Sequence, residues 1–473
     1  MKMLDQFYIN GQWVEPVSKK LMDVINPSNE EVCAQIAIGS DDDVNRAAKA
    51  ASKAFESYAH STVNDRIEII QAIITAFKAR YNDIAAAISE EMGAPTQLAV
   101  KAQTGSGLGH FKTAAGLLKT FPFEERQSAS LIVKEPIGVC GLITPWNWPL
   151  NQIACKVAPA IAVGCSVILK PSEISPLSAY IFSQVMDDAG LPAGVFNMIN
   201  GDGIGVGTAL SKHPLVDMVS FTGSTRAGAL VAQNAAPSIK RVTQELGGKS
   251  ANIILEHADF EKAVKQGAFA VFSNSGQSCN APTRMLVPRA KIEIAENIAA
   301  KVAAQVIVGP ATDEATTMGP VVSKIQYDKI RRLIKTGSDE GAKLVCGGLK
   351  RPVDLEKGYY IAPTVFSNVN NQMRIAREEI FGPVFAILPY DDLDQAIEIA
   401  NDTPYGLAGY VQGTDKETLA YVASRIRAGN ININGKSGDM NTPFGGFKQS
   451  GNGREWGAFG FEDFLEIKAI SGL

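Results

Sequence analysis

The sequence predicts an α/β protein with two doubly wound domains, each a mostly parallel sheet with helices on both faces. Three observations predict this fold class. The chain has 473 residues, more than one ordinary domain holds. Strand-like runs alternate with helical periodicities from about residue 131, and the alternation restarts after Lys249. Because such alternation is typical of parallel sheets, we expect two domains with a seam near residues 246–250.

The N-terminal part of the chain begins with strand-like pieces and continues with helices. The first 40 residues contain the pieces QFYING, QWVE, MDVINP and VCAQIAI. In residues 40–58, apolar side chains recur at helical spacing after an Asp-rich start, which predicts a helix. Residues 64–92 predict one or two more helices, which Gly93 and Pro95 end.

The two alternating units then follow in order. The first is predicted to contain strands at 139–145, 166–171, 194–200, 217–223 and 241–248, with helices at 176–188 and 226–237. The second is predicted to begin with a strand at 251–259, a helix at 260–276, a strand at 283–288 and a helix at 291–305. Residues 392–411 and 416–434 continue its helix-and-strand pattern.

Composition and charge exclude several classes of protein. Hydrophobic residues make up 45% and charged residues 20% of the chain, as in a globular protein. The net charge is −4 without a long basic block, so we expect no nucleic-acid or membrane partner. No apolar run reaches the roughly 18 residues of a membrane span. The N-terminus lacks the apolar core of a signal peptide, and we therefore expect a cytoplasmic protein.

Six cysteines stand at 33, 140, 155, 165, 279 and 346, without a CxxC pair. A disulfide framework or a zinc site is therefore improbable, and we predict no metal site. Packing is the default function of a cysteine, and we assign it to all of them except Cys279. The segment FSNSGQSCNAPTR surrounds Cys279 with small polar residues, which leaves packing and nucleophilic chemistry as alternatives at this point.

Two glycine-rich segments resemble phosphate-binding loops. Residues 200–210, NGDGIGVGTAL, fail the GxGxxG pattern in every register, and we interpret them as a mobile surface turn. Residues 220–228, SFTGSTRAG, follow a predicted strand and open a predicted helix. Gly223 would allow a ligand to approach the backbone there, and the helix N-terminus offers N–H groups to a pyrophosphate.

Seven segments together resemble the NAD(P)-dependent aldehyde dehydrogenase superfamily. In chain order they are TPWNWPL (144–150), LKPSE (169–173), FTGSTRAG (221–228), ELGGK (245–249), GQSCNAPTR (276–284), EEIFGPV (378–384) and PFGGFKQSG (443–451). The resemblance covers essentially the whole chain. It implies a Rossmann-like cofactor domain, a catalytic domain and a small β element for oligomerisation.

The resemblance assigns three catalytic residues. Cys279 matches the nucleophile, which adds to the aldehyde and forms a thiohemiacetal and then a thioester. Asn147 matches the donor that holds the oxyanion together with the Cys279 backbone N–H. Glu245 matches the general base that activates water to hydrolyse the thioester. Because relatives that transfer the acyl group to coenzyme A commonly lack this glutamate, its presence implies a free carboxylic acid as product.

The resemblance also assigns binding residues for NAD, with NADP possible. Lys170 and Glu173 resemble the pair at the adenine ribose, where a carboxylate favours NAD because it repels a 2′-phosphate. Ser224 resembles the pyrophosphate contact, and Glu379 and Phe381 resemble the contacts to the nicotinamide ribose and ring. The remaining expected cofactor residues are Ile143, Thr144, Trp146, Gly223 and Leu246. The expected substrate residues are Trp148 in the aldehyde tunnel and Phe444 near the nicotinamide.

We expect residues 1–117 and 137–246 to form the cofactor domain and 247–445 the catalytic domain. Residues 118–136 and 446–473 form the expected oligomerisation element. Its last segment, 461–470, alternates like an edge strand, and an unpaired edge favours pairing with another subunit. We therefore expect a homodimer or homotetramer.

The leading hypothesis is a general NAD-dependent aldehyde dehydrogenase that acts on a small-molecule aldehyde. Two alternatives stay open from sequence: a cysteine hydrolase, and a non-catalytic protein that kept the fold. No histidine is paired with Cys279 in sequence, which disfavours the hydrolase. The joint presence of Cys279, Glu245 and Asn147 disfavours the non-catalytic protein. The sequence does not identify the aldehyde, although the polar loop 435–442 is expected to contribute to its selection.

Overall fold

The computed structural model describes residues 2–436 and 438–472. The strands are β1 (Lys2–Leu4), β2 (Phe7–Ile9), β3 (Gln12–Val14), β4 (Leu21–Asn26), β5 (Glu31–Ala37), β6 (Glu124–Gln127), β7 (Ser130–Pro136), β8 (Val139–Ile143), β9 (Ser166–Lys170), β10 (Phe196–Met198), β11 (Met218–Thr222), β12 (Arg241–Glu245), β13 (Ala251–Ile254), β14 (Arg284–Pro288), β15 (Lys343–Cys346), β16 (Thr364–Ser367), β17 (Val384–Tyr390), β18 (Ala408–Gln412), β19 (Asn430–Ile433), β20 (Gly451–Asn452) and β21 (Leu465–Ser471).

The α-helices are α1 (Asp41–Tyr58), α2 (Val63–Ala79), α3 (Tyr81–Met92), α4 (Thr96–Leu98), α5 (Gly105–Leu117), α6 (Pro149–Val163), α7 (Leu177–Asp188), α8 (Thr208–Lys212), α9 (Thr225–Ala235), α10 (Phe260–Phe272), α11 (Ile292–Gln305), α12 (Lys324–Asp339), α13 (Arg374–Arg377), α14 (Leu393–Asn401), α15 (Lys416–Arg425) and α16 (Gly457–Glu462). Two π-helical segments, Ala99–Thr104 and Gly203–Gly207, precede α5 and α8.

Two large sheets organise the chain. The first has eight strands in the order β20-β12-β11-β8-β9-β10-β2-β3, and its five central strands are parallel. The second has seven strands in the order β15-β16-β17-β14-β13-β18-β19, of which only β15 is antiparallel. The chain crosses from the first sheet to the second between β12 and β13. Apolar side chains from both faces of each sheet form the core with the covering helices.

Two small sheets complete the architecture. β1, β5 and β4 form one of them, and β21, β7 and β6 form the other. β21 and β7 pair antiparallel over seven residues, from Leu465 opposite Pro136 to Ser471 opposite Ser130. Gly451 and Asn452, which precede β21, pair instead with β12 at the edge of the first large sheet.

The α/β fold class predicted from the alternation is confirmed, and several element boundaries differ. The strand predicted at 251–259 ends at Ile254, and the helix predicted at 260–276 ends at Phe272. Asn274 and Ser275 follow with φ of 51° and 56°, which an α-helix does not allow. The interpretation of 200–210 as a mobile surface turn is wrong, because Gly203–Gly207 and α8 form continuous helical structure there.

Candidate active site

The carboxyl ends of four adjacent parallel strands place most of the predicted residues along one edge of the first sheet. β8 ends at Ile143, β9 at Lys170, β11 at Thr222 and β12 at Glu245. Ile143 lies opposite Lys170 in the ladder, and Thr222 lies opposite Glu245. Since parallel strands deliver their following loops to the same edge, segments distant in sequence meet there.

Cys279 lies in the loop between α10 and β14, where two cavities meet. A cavity of approximately 200 Å³ on one side is lined by Cys279 and by residues from the edge of the first sheet. A larger cavity of approximately 490 Å³ lies on the other side, and Cys279 lines this one too. A side chain shared by both cavities can touch a molecule bound in either.

The Cys279 loop leaves the backbone N–H of Cys279 unpaired and is held from behind. The backbone N–H of Asn280 hydrogen-bonds to the sulfur and opposes the increase of its pKa, whereas the Cys279 backbone N–H donates to none of the described residues. A Cβ atom added to Gly248 would lie 2.5 Å from the Cys279 carbonyl oxygen, so glycine is required for this approach. Burial raises the pKa of the thiol, and the charges of Glu379 and Glu245 raise that pKa further.

Asn147 is buried against the Cys279 loop. Its Nδ2 donates to the carbonyl oxygen of Gln277 at 3.0 Å. Its own carbonyl oxygen accepts from Gln103 Nε2 at 3.2 Å and from Asn274 Nδ2 at 3.0 Å. An amide nitrogen carries two hydrogens, so Nδ2 keeps one donor beyond the bond to Gln277. Asn147 can therefore donate to an oxygen bound beside Cys279.

Trp148, which follows Asn147 in the chain, also contacts the Cys279 loop and lines the larger cavity. Its indole N–H donates to Ser278 Oγ at 2.8 Å. This hydrogen bond fixes the indole ring next to Cys279 in the larger cavity, where we expect the aldehyde to bind.

Glu245 lies at the end of β12 and is 5% exposed. Neither carboxylate oxygen has a hydrogen-bond partner among the described residues. Burial raises the pKa of Glu245 well above its ordinary value, the negative charge of Glu455 raises it further, and the cation of Lys156 opposes the increase. A buried carboxylate with free oxygens and a raised pKa is suited to accept a proton.

Lys156 and Glu455 form a buried ion pair near Glu245, and the sequence did not predict it. Lys156 lies in α6, which is buried along its whole length, and its Nζ contacts Glu455 Oε1. Cys155 donates through its thiol to Glu455 Oε2 at 3.2 Å. A lone lysine in the apolar run QIACKVAPAIAV is the signal that could have indicated a buried partner.

The smaller cavity collects six of the ten predicted cofactor residues. These are Trp146, Gly223, Ser224, Leu246, Glu379 and Phe381, which line it with Asn147, Glu245 and Cys279. Gly247 also lines it, and residues that were not predicted complete the lining: Pro145, Thr222, Gln326 and Lys329. A Cβ atom added to Gly247 would lie 2.4 Å from Glu379 Oε2, so Gly247 allows the carboxylate to enter the cavity wall.

Glu379 and Phe381 are held rigidly in this wall. Glu379 Oε1 accepts from the Gly248 backbone N–H at 2.9 Å. Phe381 has a φ of 58°, a strained value for an aromatic residue, and its ring packs edge-on against Trp146 at 5.3 Å between centroids. Gln326 Nε2 donates to the Phe381 carbonyl oxygen at 2.5 Å. The Trp146 ring and the hydrogen bond from Gln326 therefore hold the strained backbone of Phe381 in place.

Ser224 is the N-cap of α9, and its Oγ accepts from the Ala227 N–H at 3.3 Å. The four other predicted cofactor residues lie outside the smaller cavity, on the same sheet edge. Ile143 and Thr144 follow one another at the end of β8, and the Thr144 N–H donates to the Lys170 carbonyl oxygen at 3.1 Å. Lys170 Nζ donates to Glu173 Oε2 at 3.1 Å. The line of residues from Glu173 to the smaller cavity fits an elongated dinucleotide.

The larger cavity contains both predicted substrate residues, Trp148 and Phe444. Phe444 stacks on Trp456 with 4.7 Å between ring centroids, and Tyr410 is the fourth aromatic residue that lines the cavity. Lys436 and Asp439 of the loop 435–442 also line this cavity. Five residues with amide side chains line the cavity as well, and the sequence assigned none of them a role in the site: Asn151, Gln152, Asn280, Asn430 and Asn432.

Comparison with known proteins agrees with this arrangement. The family model for the aldehyde dehydrogenase family matches residues 13–470. A 3-succinoylsemialdehyde-pyridine dehydrogenase from a Pseudomonas species is 54% identical over 473 residues, which is 100% of this chain and 99% of that protein. A putative aldehyde dehydrogenase from Staphylococcus epidermidis is 48% identical over 100% of this chain and 99% of its own length.

Solved structures give the same result. A mutant of aldehyde dehydrogenase C from Pseudomonas syringae, complexed with NAD+ and octanal, has a TM-score of 0.98 and 52% identity, over 99% of this chain and 96% of that one. An aldehyde dehydrogenase from Mycobacterium tuberculosis, complexed with NAD+, has a TM-score of 0.97 and 37% identity, over 100% and 99% of the two chains.

The chain belongs to the aldehyde dehydrogenase family. It oxidises an aldehyde with reduction of NAD, which confirms the reaction and the cofactor inferred from the seven segments. Among residues 2–436 and 438–472, no helix is long and apolar enough to cross a membrane. In the same residues, no three His, Cys, Asp or Glu side chains are grouped so that they could hold a metal ion.

Proposed function

We propose that Cys279 is the nucleophile of this aldehyde dehydrogenase, with Asn147 as oxyanion donor and Glu245 as general base for hydrolysis. The observation that carries the proposal is the position of Cys279, which lines both cavities. A covalent intermediate on its sulfur can be reached from the aldehyde side and from the cofactor side. No other cysteine lines either cavity within the part of the chain that the structure describes.

The first step is addition of the Cys279 thiolate to the aldehyde carbon. A carbon–sulfur bond forms, and the carbonyl oxygen becomes an oxyanion. The free N–H of Cys279 and the second hydrogen of Asn147 Nδ2 are the two donors available to this oxygen. Donors that are already fixed stabilise the developing charge without reorganisation.

NAD, when bound, supplies the acceptor for the hydride that leaves the former aldehyde carbon. Trp146, Gly223, Ser224, Leu246, Glu379 and Phe381 would hold it in the smaller cavity, and Ile143, Thr144, Lys170 and Glu173 would hold it along the sheet edge. Loss of hydride converts the thiohemiacetal on Cys279 into a thioester.

Glu245 then takes a proton from water, and the resulting hydroxide attacks the thioester carbon. The carbon–sulfur bond breaks, the carboxylic acid leaves and the thiolate returns. The role of Glu245 as base is supported by its two carboxylate oxygens, neither of which has a hydrogen-bond partner among the described residues. Its raised pKa also makes the ionised form a stronger base than an exposed carboxylate.

We also propose that Glu173 favours NAD over NADP. Glu173 accepts from Lys170 at 3.1 Å at the end of β9, and its side chain is only partly exposed. A carboxylate at a ribose 2′-position accepts a hydroxyl and repels a phosphate.

For the substrate, we propose a general activity toward aldehydes with an extended tail, corresponding to EC 1.2.1.3. The aromatic rings of Trp148, Tyr410, Phe444 and Trp456 support an apolar or aromatic tail. The name of the Pseudomonas relative describes an aldehyde with a pyridine ring, and the P. syringae structure contains octanal.

We further propose a homodimer or homotetramer that joins through the sheet of β6, β7 and β21, within residues 118–136 and 446–473. Ile467 of β21 is 71% exposed, an apolar side chain that a neighbouring subunit could cover. We also propose a cofactor domain at 1–117 and 137–246 and a catalytic domain at 247–445. The two large sheets support this division, although Gly451 and Asn452 add a strand to the first sheet. All six cysteines are free thiols, which favours a cytoplasmic location.

The test of the catalytic assignment is Cys279→Ala, with Cys346→Ala as the matched control at a partly exposed cysteine in β15. NADH absorbance is recorded with octanal and NAD, and NAD binding is measured separately. We expect Cys279→Ala to lose turnover and keep NAD binding, and the control to keep both. Turnover in Cys279→Ala would refute the nucleophile assignment.

A further inference from the structure

The larger cavity presents hydrogen-bonding groups to its contents as well as aromatic rings. Asn151 and Asn432 both line it, and each is 9% exposed. The Asn432 side chain has no hydrogen-bond partner among the described residues, and neither has the Nδ2 atom of Asn151. Neither group is among the fully buried polar atoms without a partner, so both are reached from the cavity and can bind a polar ligand there.

The orientation of Asn151 is fixed by His110. The Asn151 Oδ1 atom lies 2.9 Å from His110 Nε2. Burial lowers the pKa of His110 to about 4, so the ring is neutral at neutral pH and carries one N–H. The amide oxygen can only accept, which assigns that N–H to Nε2. The His110 ring is itself held 5.5 Å from the ring of Trp456.

With its oxygen turned to His110, Asn151 presents its NH₂ group to the cavity. An alkyl tail would leave this donor without a partner, whereas a ketone oxygen or a ring nitrogen would accept from it. Sites that hydrogen-bond a substrate group reject analogues without that group more strongly than apolar pockets reject a change of size. We therefore expect the NH₂ group of Asn151 to favour aldehydes that carry an acceptor over aldehydes that do not.

We propose that Asn151 is a specificity-determining residue that donates a hydrogen bond to an acceptor atom in the tail of the aldehyde, with His110 as its positioning residue. The substrate class is an aldehyde whose tail carries a ketone or comparable acceptor, next to an apolar or aromatic group that the rings of the cavity accommodate. This inference rests on the proposed function of the cavity as the aldehyde site.

The test compares octanal with three oxo-octanals that differ only in the position of the ketone. For each, kcat/KM is measured with NAD in the wild-type enzyme and in Asn151→Leu, which is similar in volume and lacks the donor. We expect at least one oxo-octanal to exceed octanal in the wild type. In Asn151→Leu we expect the kcat/KM of that oxo-octanal, relative to the kcat/KM of octanal, to fall about 10-fold. An unchanged ratio would overturn the inference.

Three further variants separate recognition by Asn151 from the general polarity of the cavity. His110→Phe is expected to lower the same ratio, mainly through KM, and His110→Gln, which keeps a donor, is expected to restore part of it. Asn432→Leu removes an amide that no histidine orients, and we expect a smaller change in the ratio. An equal loss in Asn432→Leu would refute the specific role of Asn151. Failure of the wild type to oxidise any of the four aldehydes would refute the proposed function instead.

Discussion

Removal of the buried cation Lys156 tests how the site controls Glu245. In Lys156→Met, the Glu455 carboxylate loses its ion-pair partner while it stays buried, at 8% exposure. Breaking such a pair from one side costs about 3–5 kcal/mol, since the remaining charge is uncompensated. The Cys155 thiol is the partner left to Glu455, and a single weak donor cannot replace a full charge. We therefore expect a marked decrease in thermal stability.

The same change acts on catalysis through the pKa of Glu245. Burial raises this pKa, the Glu455 charge raises it further, and Lys156 lowers it. Without Lys156 the pKa of Glu245 rises, so a higher pH is needed to ionise the base. We expect the deacylation rate of Lys156→Met to reach its plateau at higher pH than in the wild type. The measurement is NADH formation over a range of pH, in which a fast burst precedes a slow steady rate when deacylation limits turnover.

The double variant Lys156→Met/Glu455→Leu is the control for this prediction. Replacing both members of a buried pair by apolar residues is often neutral or stabilising, so the double variant should recover most of the lost stability. It also removes the charge that raises the pKa of Glu245, so its pH profile should return toward that of the wild type. A single variant as stable as the wild type, or a double variant with the profile of the single one, would refute the reasoning.

Three further changes give distinct outcomes. Glu245→Gln should leave a burst of NADH followed by slow turnover, because the thioester forms without a base to hydrolyse it; a normal steady rate would exclude the base role. Glu173→Ser should increase the ratio of NADP to NAD use, and an unchanged ratio in steady-state kinetics would remove the argument from repulsion. Gly248→Ala should lower kcat about 100-fold, because its Cβ would lie 2.5 Å from the Cys279 carbonyl oxygen and displace the nucleophile, whereas Gly203→Ala, which meets nothing within 4 Å, should be unaffected.

The sequence predicted the fold class because alternation of strands and helices is a local pattern. The strands β8, β9, β11 and β12 were all predicted close to their observed positions, and their shared carboxyl edge follows from parallel pairing. The helix predicted over 260–276 is shorter because Asn274 and Ser275 adopt positive φ, which an α-helix does not allow. Gly276 is pressed against the backbone of Gly382, a contact distant in sequence.

The three residues proposed as catalytic were inferred from motifs, and the buried residues near Glu245 were not. Lys156 and Glu455 are separated by 299 positions, and neither carries a motif of its own. Their effect on the pKa of Glu245 depends on three-dimensional proximity, which no local pattern encodes. The amides of the larger cavity were not predicted for the same reason, because the orientation of Asn151 depends on His110, which lies in another helix.

The helix α6 contains one member of each group that was not predicted from the sequence, namely Asn151 and Lys156. Asn151 and Lys156 are five positions apart, so they project about 140° apart around the helix axis and about 7.5 Å apart along it. One of them contacts His110 and lines the larger cavity, and the other contacts Glu455. Glu455 is followed directly by Trp456, which packs against His110. The pairing of α6 with residues 455–456 therefore places both groups in one rigid unit. Within it, the distinct faces of α6 allow the Asn151 and Lys156 variants to be interpreted separately.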